Sequence, residues 1–253
     1  MKIIFLKTTL LIIIGVCFSS FIIKQVGTFK TSQIKNARVK LAYNTKWEDL
    51  KTLMVKKNIN PLNFSVYFRV FKQEKAFEIW IKNSTDTKYQ LLKTISICAS
   101  SGDLGPKRKE GDGQVPEGFY EISAFNPNSN YNLSLKVNYP NAADIIKGTG
   151  HKLGGDIMVH GECVTIGCIP LQNEPIREVY ILAVEAHNRK KTIHIDIFPC
   201  KFTKENEEAL SKNYGKDKLT FWETLKEGYL YFETHKWLPK VNVSKNGDYT
   251  FED

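Results

Sequence analysis

The chain has 253 residues, 42% of them hydrophobic and 12% aromatic, enough to bury one sizeable core but too few for two full domains. That composition excludes a disordered chain, and five cysteines are too few for a disulfide-stapled scaffold. A net charge of +9 suits an anionic polymer or membrane surface as neighbour, while scattered lysines without a nucleic-acid motif argue against nucleic acid.

Residues 1–24 hold no acid, carry Lys2 and Lys7, and run apolar from Thr8 to Ile23 before Lys24. This reads as an export element, either a removed signal peptide or an uncleaved membrane anchor. Lipidation at Cys17 is a third option, disfavoured by the Ile14-Gly15-Val16 that precedes it. Removing 1–24 takes away three lysines and leaves +6.

Residues 25–60 are expected to be helical in part, with Trp47, Leu50, Leu53 and Met54 on one apolar face and Asn60-Pro61 ending it. Beyond Pro61 the period changes. The runs 64–71, 76–81 and 89–95 are rich in aromatic and β-branched residues and predict a strand meander. Residues 100–118 are dense in glycine, proline and charge and predict a long surface loop. Strands are expected again at 119–122 and 133–137, then in Ile157-Met158-Val159-His160, which runs into glycine. Glu174 to Asn188 has helical spacing, 192–198 alternates as a strand, and 205–225 is mostly helical with a break near Gly215. The fold class is therefore α+β: strands dominate 61–202, with flanking helices and a C-terminal helical extension over 203–253 that packs on it.

The chemistry concentrates in Val159-His160-Gly161-Glu162-Cys163-Val164-Thr165-Ile166-Gly167-Cys168. A nucleophilic thiol needs a base, a group that orients the base, and amides aimed at the oxyanion. His160 can take the thiol proton, a neighbouring carbonyl can fix its tautomer, and Gly167 lets the backbone turn its amides toward the reacting carbonyl. Pairing with imidazolium would lower the Cys168 pKa. The three residues His160, Cys163 and Cys168 can also be read as zinc ligands, but no fourth donor lies near and the paired spacing of structural zinc sites is absent. Cys163 is expected to pack, with a disulfide to Cys168 or a resolving role as alternatives. Cys98 and Cys200 end strand patterns, either in the core or disulfide-bonded. His151, His187, His194 and His235 read as structural.

The string H-G-x-x-x-T-I-G-C, preceded by L-G-P-K-R-K-E-G-D-G-Q-V-P-E-G-F-Y at 104–120, resembles the YkuD-type L,D-transpeptidase family and in particular its YafK-like branch. The resemblance extends from about Trp47 to about Tyr249 through N-P-N-S-N-Y-N-L-S at 126–134, Y-P-N-A at 139–142 and H-I-D-I-F-P at 194–199. It implies a mainly β, sandwich-like catalytic domain in which Cys168 is the nucleophile, His160 its base and the Gly161 carbonyl the group that orients His160. Thr165 and Gly167 match the Ser/Thr and Gly before the nucleophile and fall beside substrate. The implied substrates are the diaminopimelate-containing stem peptides of peptidoglycan, with no metal or organic cofactor, in the periplasm or cell envelope. The thiol would attack the carbonyl before the terminal D-amino acid, and an amine of diaminopimelate, or water, would resolve the thioester. Ile166 and Pro170 depart from the main family, which places a histidine and a basic or amide side chain there. Both departures are shared by the YafK-like branch, which includes enzymes that hydrolyse a diaminopimelate linkage and release a murein-linked lipoprotein. A catalytically silent murein-binding module is the remaining alternative. Lys107, Arg108 and Lys109 are either substrate-carboxylate ligands or solvated turn residues.

Overall fold

The computed structural model describes residues 28–253, so the apolar N-terminal stretch lies outside the described residues. The elements in order are α1 (Phe29–Ile34), α2 (Ala37–Lys56), β1 (Phe64–Phe71), β2 (Ala76–Asn83), β3 (Gln90–Ser96), β4 (Gly118–Asn126), β5 (Ser134–Val137), α3 (Ala142–Lys147), β6 (Met158–His160), β7 (Ile169–Pro170), α4 (Asn173–Asn188), β8 (His194–Phe198), α5 (Lys204–Asn213), α6 (Lys216–His235), β9 (Lys240–Val243) and β10 (Tyr249–Glu252). Among the described residues, no helix is long and apolar enough to cross a membrane.

Eight strands form one mixed sheet in the order β3-β2-β1-β8-β4-β5-β6-β7, and β9-β10 form a separate hairpin. The class is α+β, with the sheet curved into a half-barrel between helices. Curvature enters at β4, whose Gly118–Glu121 half pairs with β8 while the remainder, past an irregularity between Ile122 and Ala124, pairs with β5. Such a register shift raises local twist and bends the strand.

β1 is buried over its whole length because both faces of the sheet are covered. Its Phe64, Val66, Phe68 and Val70 enter a core shared with α2 and α4, and the alternate Tyr67 and Phe71 enter clusters with α6. Arg69, on that second face, is fully buried against Glu233 (2.6 Å) and ringed by Phe71, Trp80, Phe198, Tyr229 and Phe232. Cation–π contact and the ion pair offset its desolvation.

The 203–253 segment is not helical throughout. It ends in the β9-β10 hairpin, whose Tyr249 and Phe251 pack on Phe119 at 4.9 and 5.2 Å. The short α3, also absent from the sequence reading, is nucleated by a reciprocal cap between Asn141 and Asp144.

Candidate active site

β6 and β7 are parallel neighbours, with Val159 opposite Ile169 and His160 opposite Pro170. Val159 and Ile169 both point into the core. Side chains alternate along a strand, so the residues one step away, His160 and Cys168, project from the opposite face of the sheet. His160 ends β6, level with Pro170, and Cys168 immediately precedes β7, two residues back along the chain from Pro170. Both line a cleft of about 490 Å³, with Lys107, Tyr131, Thr165 and Ile166 among its walls. The 104–118 loop contributes one wall, as its glycine-rich sequence suggested. Cys168 also borders a smaller hollow of about 160 Å³ lined by Val70, Ile97, Ser101, Leu104 and Val115.

His160 is buried, and its Nδ1 lies 2.5 Å from the Gly161 carbonyl. With Nδ1–H donating there, Nε2 carries the free lone pair that a base requires. Tyr131 packs over the imidazole at 4.8 Å. Gly161 has no room for a side chain, since a Cβ would lie 2.5 Å from Asn173 Oδ1 and 2.8 Å from the Tyr131 carbonyl.

The Cys168 thiol donates to the Asp156 carbonyl at 3.6 Å and, among the described residues, makes no hydrogen bond to the imidazole. Burial pushes the thiol pKa up, against the Met158 amide and Lys107, which favour the thiolate. Burial also pushes His160 below the usual imidazole value, against its bond to Gly161. Burial thus opposes the charged form of both groups.

Thr165 Oγ1 donates to the Cys168 carbonyl (2.8 Å) and accepts from the Gly167 amide (3.1 Å). Its hydroxyl therefore shapes the turn before Cys168. Gly167 sits at φ +135°, and a Cβ there would lie 3.0 Å from the Gln114 carbonyl, so only glycine fits. With the Gly167 amide engaged, the Cys168 amide is the one near the thiol that makes no hydrogen bond among the described residues.

Lys107 lines the cleft, but its ammonium bonds Asp112 (2.6 Å) and the Lys109 carbonyl (2.9 Å). Burial tends to raise the Asp112 carboxyl, yet Lys107 and the amides of Arg108, Lys109 and Gln114 bring it below its ordinary value. Arg108 stacks over Phe221 at 5.0 Å and is not part of the cleft wall.

Cys163 does not pack in the core: it is exposed and disulfide-bonded to Cys98, 65 residues away. That bond removes it from any zinc set with His160 and Cys168. Cys200 is a free, buried thiol. The sequence reading assigned no role to Asp156 and Met158, which act through backbone groups, or to Tyr131, which lies within the 126–134 string but acts through a ring face. It also missed Asn173, whose Oδ1 accepts the Glu162 amide at 3.1 Å.

The profile of the L,D-transpeptidase catalytic domain (YkuD) matches residues 65–193. The chain is 36% identical over 187 residues to YafK of Escherichia coli K12, whose name assigns it to the L,D-transpeptidases; the match covers 73% of this chain and 72% of that protein. Among solved structures it is similar to the helical cell shape determining protein Pgp2 of Campylobacter jejuni, at 19% identity and a TM-score of 0.44, over 72% of this chain and 73% of that one. Bd1075 of Bdellovibrio bacteriovorus is similar at 20% identity and a TM-score of 0.39, over 67% and 63%.

Proposed function

The chain belongs to the YkuD family of L,D-transpeptidase catalytic domains, and we propose that it forms a thioester between Cys168 and the stem peptides of peptidoglycan. The observation that carries this reading is that Cys168 and a buried His160, whose Nδ1 meets the Gly161 carbonyl, line one cleft. Rotation of the thiol away from the Asp156 carbonyl brings it to His160 Nε2, which takes the proton. The sulfur attacks the carbonyl before the terminal D-amino acid, and the Cys168 amide donates to the oxyanion. Collapse breaks the C–N bond, and the imidazolium returns its proton to the leaving amine. The Gly161 carbonyl stabilises the imidazolium through Nδ1–H.

An amine of diaminopimelate or a water, deprotonated by His160, then attacks the thioester and expels Cys168. Because the sulfur borders two hollows, an acyl chain seated in one leaves the other side open to the acceptor. This substrate lies in the cell envelope, which residues 1–24 would reach as an export element.

The test is mass spectrometry of the protein incubated with murein tetrapeptide. An adduct on Cys168 with release of D-alanine is expected, and neither should form with Cys168→Ala. Absence of both with the wild type sinks the reading. Product analysis on sacculi then separates transfer from hydrolysis: new cross-links mark an amine acceptor, whereas freed diaminopimelate linkages, including those to a lipoprotein, mark water.

A further inference from the structure

The segment 161–168 joins two parallel, adjacent strands with eight residues. Parallel neighbours usually need a crossover of about a dozen residues or more, commonly with a helix. This connection has no regular structure, and its apolar side chains do not anchor it: Val164 is 52% and Ile166 88% exposed. Between its ends it is held by the Thr165 turn, by the Glu162 amide on Asn173, and by Cys163.

Cys163 is tied to Cys98, which follows β3 and whose amide donates to the Pro170 carbonyl at 3.1 Å. One residue outside the connection therefore grips it on both sides of the nucleophile, covalently five residues before Cys168 and by a hydrogen bond two residues after. The disulfide is also reachable from solvent, with Cys163 exposed and Cys98 half-buried.

We propose that the Cys98–Cys163 disulfide is a positioning clamp for Cys168, so that acylation depends on the oxidised state of this pair. This rests on the reading of Cys168 as the nucleophile. Reduction breaks the S–S bond and leaves two thiols, with the electrons supplied by a dithiol or phosphine reductant that is itself oxidised. The freed connection then no longer fixes where Cys168 sits in the cleft it shares with His160. Misplacement of a reacting group by about 1 Å costs on the order of 100-fold in rate.

The test compares wild type with Cys98→Ser/Cys163→Ser, changed together so that no lone Cys163 is left to pair with Cys168. Acylation of Cys168 by murein tetrapeptide should slow by about 10- to 100-fold with KM nearly unchanged. A phosphine should slow the wild type to the same extent, reversibly on reoxidation, and leave the double variant unaffected; this arm also covers the case in which the variant folds poorly. Equal acylation rates in the two proteins, or equal slowing of both by phosphine, would overturn the clamp. Alkylation of Cys168 by iodoacetamide reads the clamp independently of murein chemistry. The variant should alkylate more slowly at neutral pH and lose the pH limb set by His160, and identical profiles refute the proposal even where no acyl-enzyme forms.

Discussion

Replacing Thr165 by valine keeps the shape of the side chain and deletes its hydroxyl. Two hydrogen bonds disappear, one to the Cys168 carbonyl at 2.8 Å and one from the Gly167 amide at 3.1 Å. Each such bond contributes about 0.5–1.5 kcal/mol net, so the turn loses about 1–3 kcal/mol of preference for its native geometry. Thr165 is half-buried, and water will compensate in part, which favours the middle of that range. At 1.36 kcal/mol per tenfold, 2 kcal/mol corresponds to a roughly 30-fold smaller competent population. Single-turnover acylation of Cys168, followed by mass spectrometry, should slow by about that factor with little change in KM, and Thr165→Ser should restore it. The connection lies at the rim of the sheet, so Tm should hardly move. A valine variant that acylates at the wild-type rate, or a serine variant as slow as valine, refutes the positioning role of the hydroxyl.

Three other outcomes follow from the same structure. Because burial raises Cys168 and lowers His160, absorbance at 240 nm should show no Cys168-dependent thiolate at pH 7; a signal there that is lost in Cys168→Ser contradicts this expectation. Burial pushes the Asp196 carboxyl up to about 7 despite its Tyr67 hydrogen bond and nearby Arg69. A raised folded-state pKa contributes stability that is full below the unfolded value near 4 and lost as pH climbs through 7, by roughly 4 kcal/mol over three units. Thermal unfolding at pH 5 and pH 8 should therefore differ more in the wild type than in Asp196→Asn, and equal differences count against this. Glu117 is fully buried between Lys72 (2.9 Å), the Trp222 indole (2.7 Å) and the Gly105 amide (2.7 Å). Glu117→Ala leaves the Lys72 charge buried and should cost about 3–5 kcal/mol. In calorimetry that amounts to a Tm fall of roughly 10 °C, and a fall below 2 °C would dispose of the anchor.

Much of the sheet was legible because its strands are long and strongly patterned. The Phe64–Phe71 run and the 76–81 run announce themselves by β-branched and aromatic content. The β9-β10 hairpin was hidden because Lys240–Val243 is largely exposed and mixes lysine and asparagine with valine, so its alternation carries little contrast. α3 could have been found, since Asn141 and Asp144 stand at capping-box spacing, but six residues give too short a period to notice. At the site, His160 and Cys168 were legible through their shared motif. The Asp156 carbonyl that holds the thiol is a backbone group and has no sequence signature. The Cys98–Cys163 pairing spans 65 residues, and four downstream cysteines alone do not determine which of them meet.

Cys168 immediately precedes a strand at the very end of the sheet. β7 is two residues long, one of them a proline with no amide to donate, and it has a sheet neighbour on one side alone. β1, near the middle, is paired on both sides and buried throughout. Amide hydrogen exchange along this chain should be strongly graded, slow in β1 and fast around Cys168. Opening of the rim is then a local event with its own small free energy, separate from melting of the domain. In mild denaturant the protein should stop reacting with substrate while its circular dichroism still reports an intact fold.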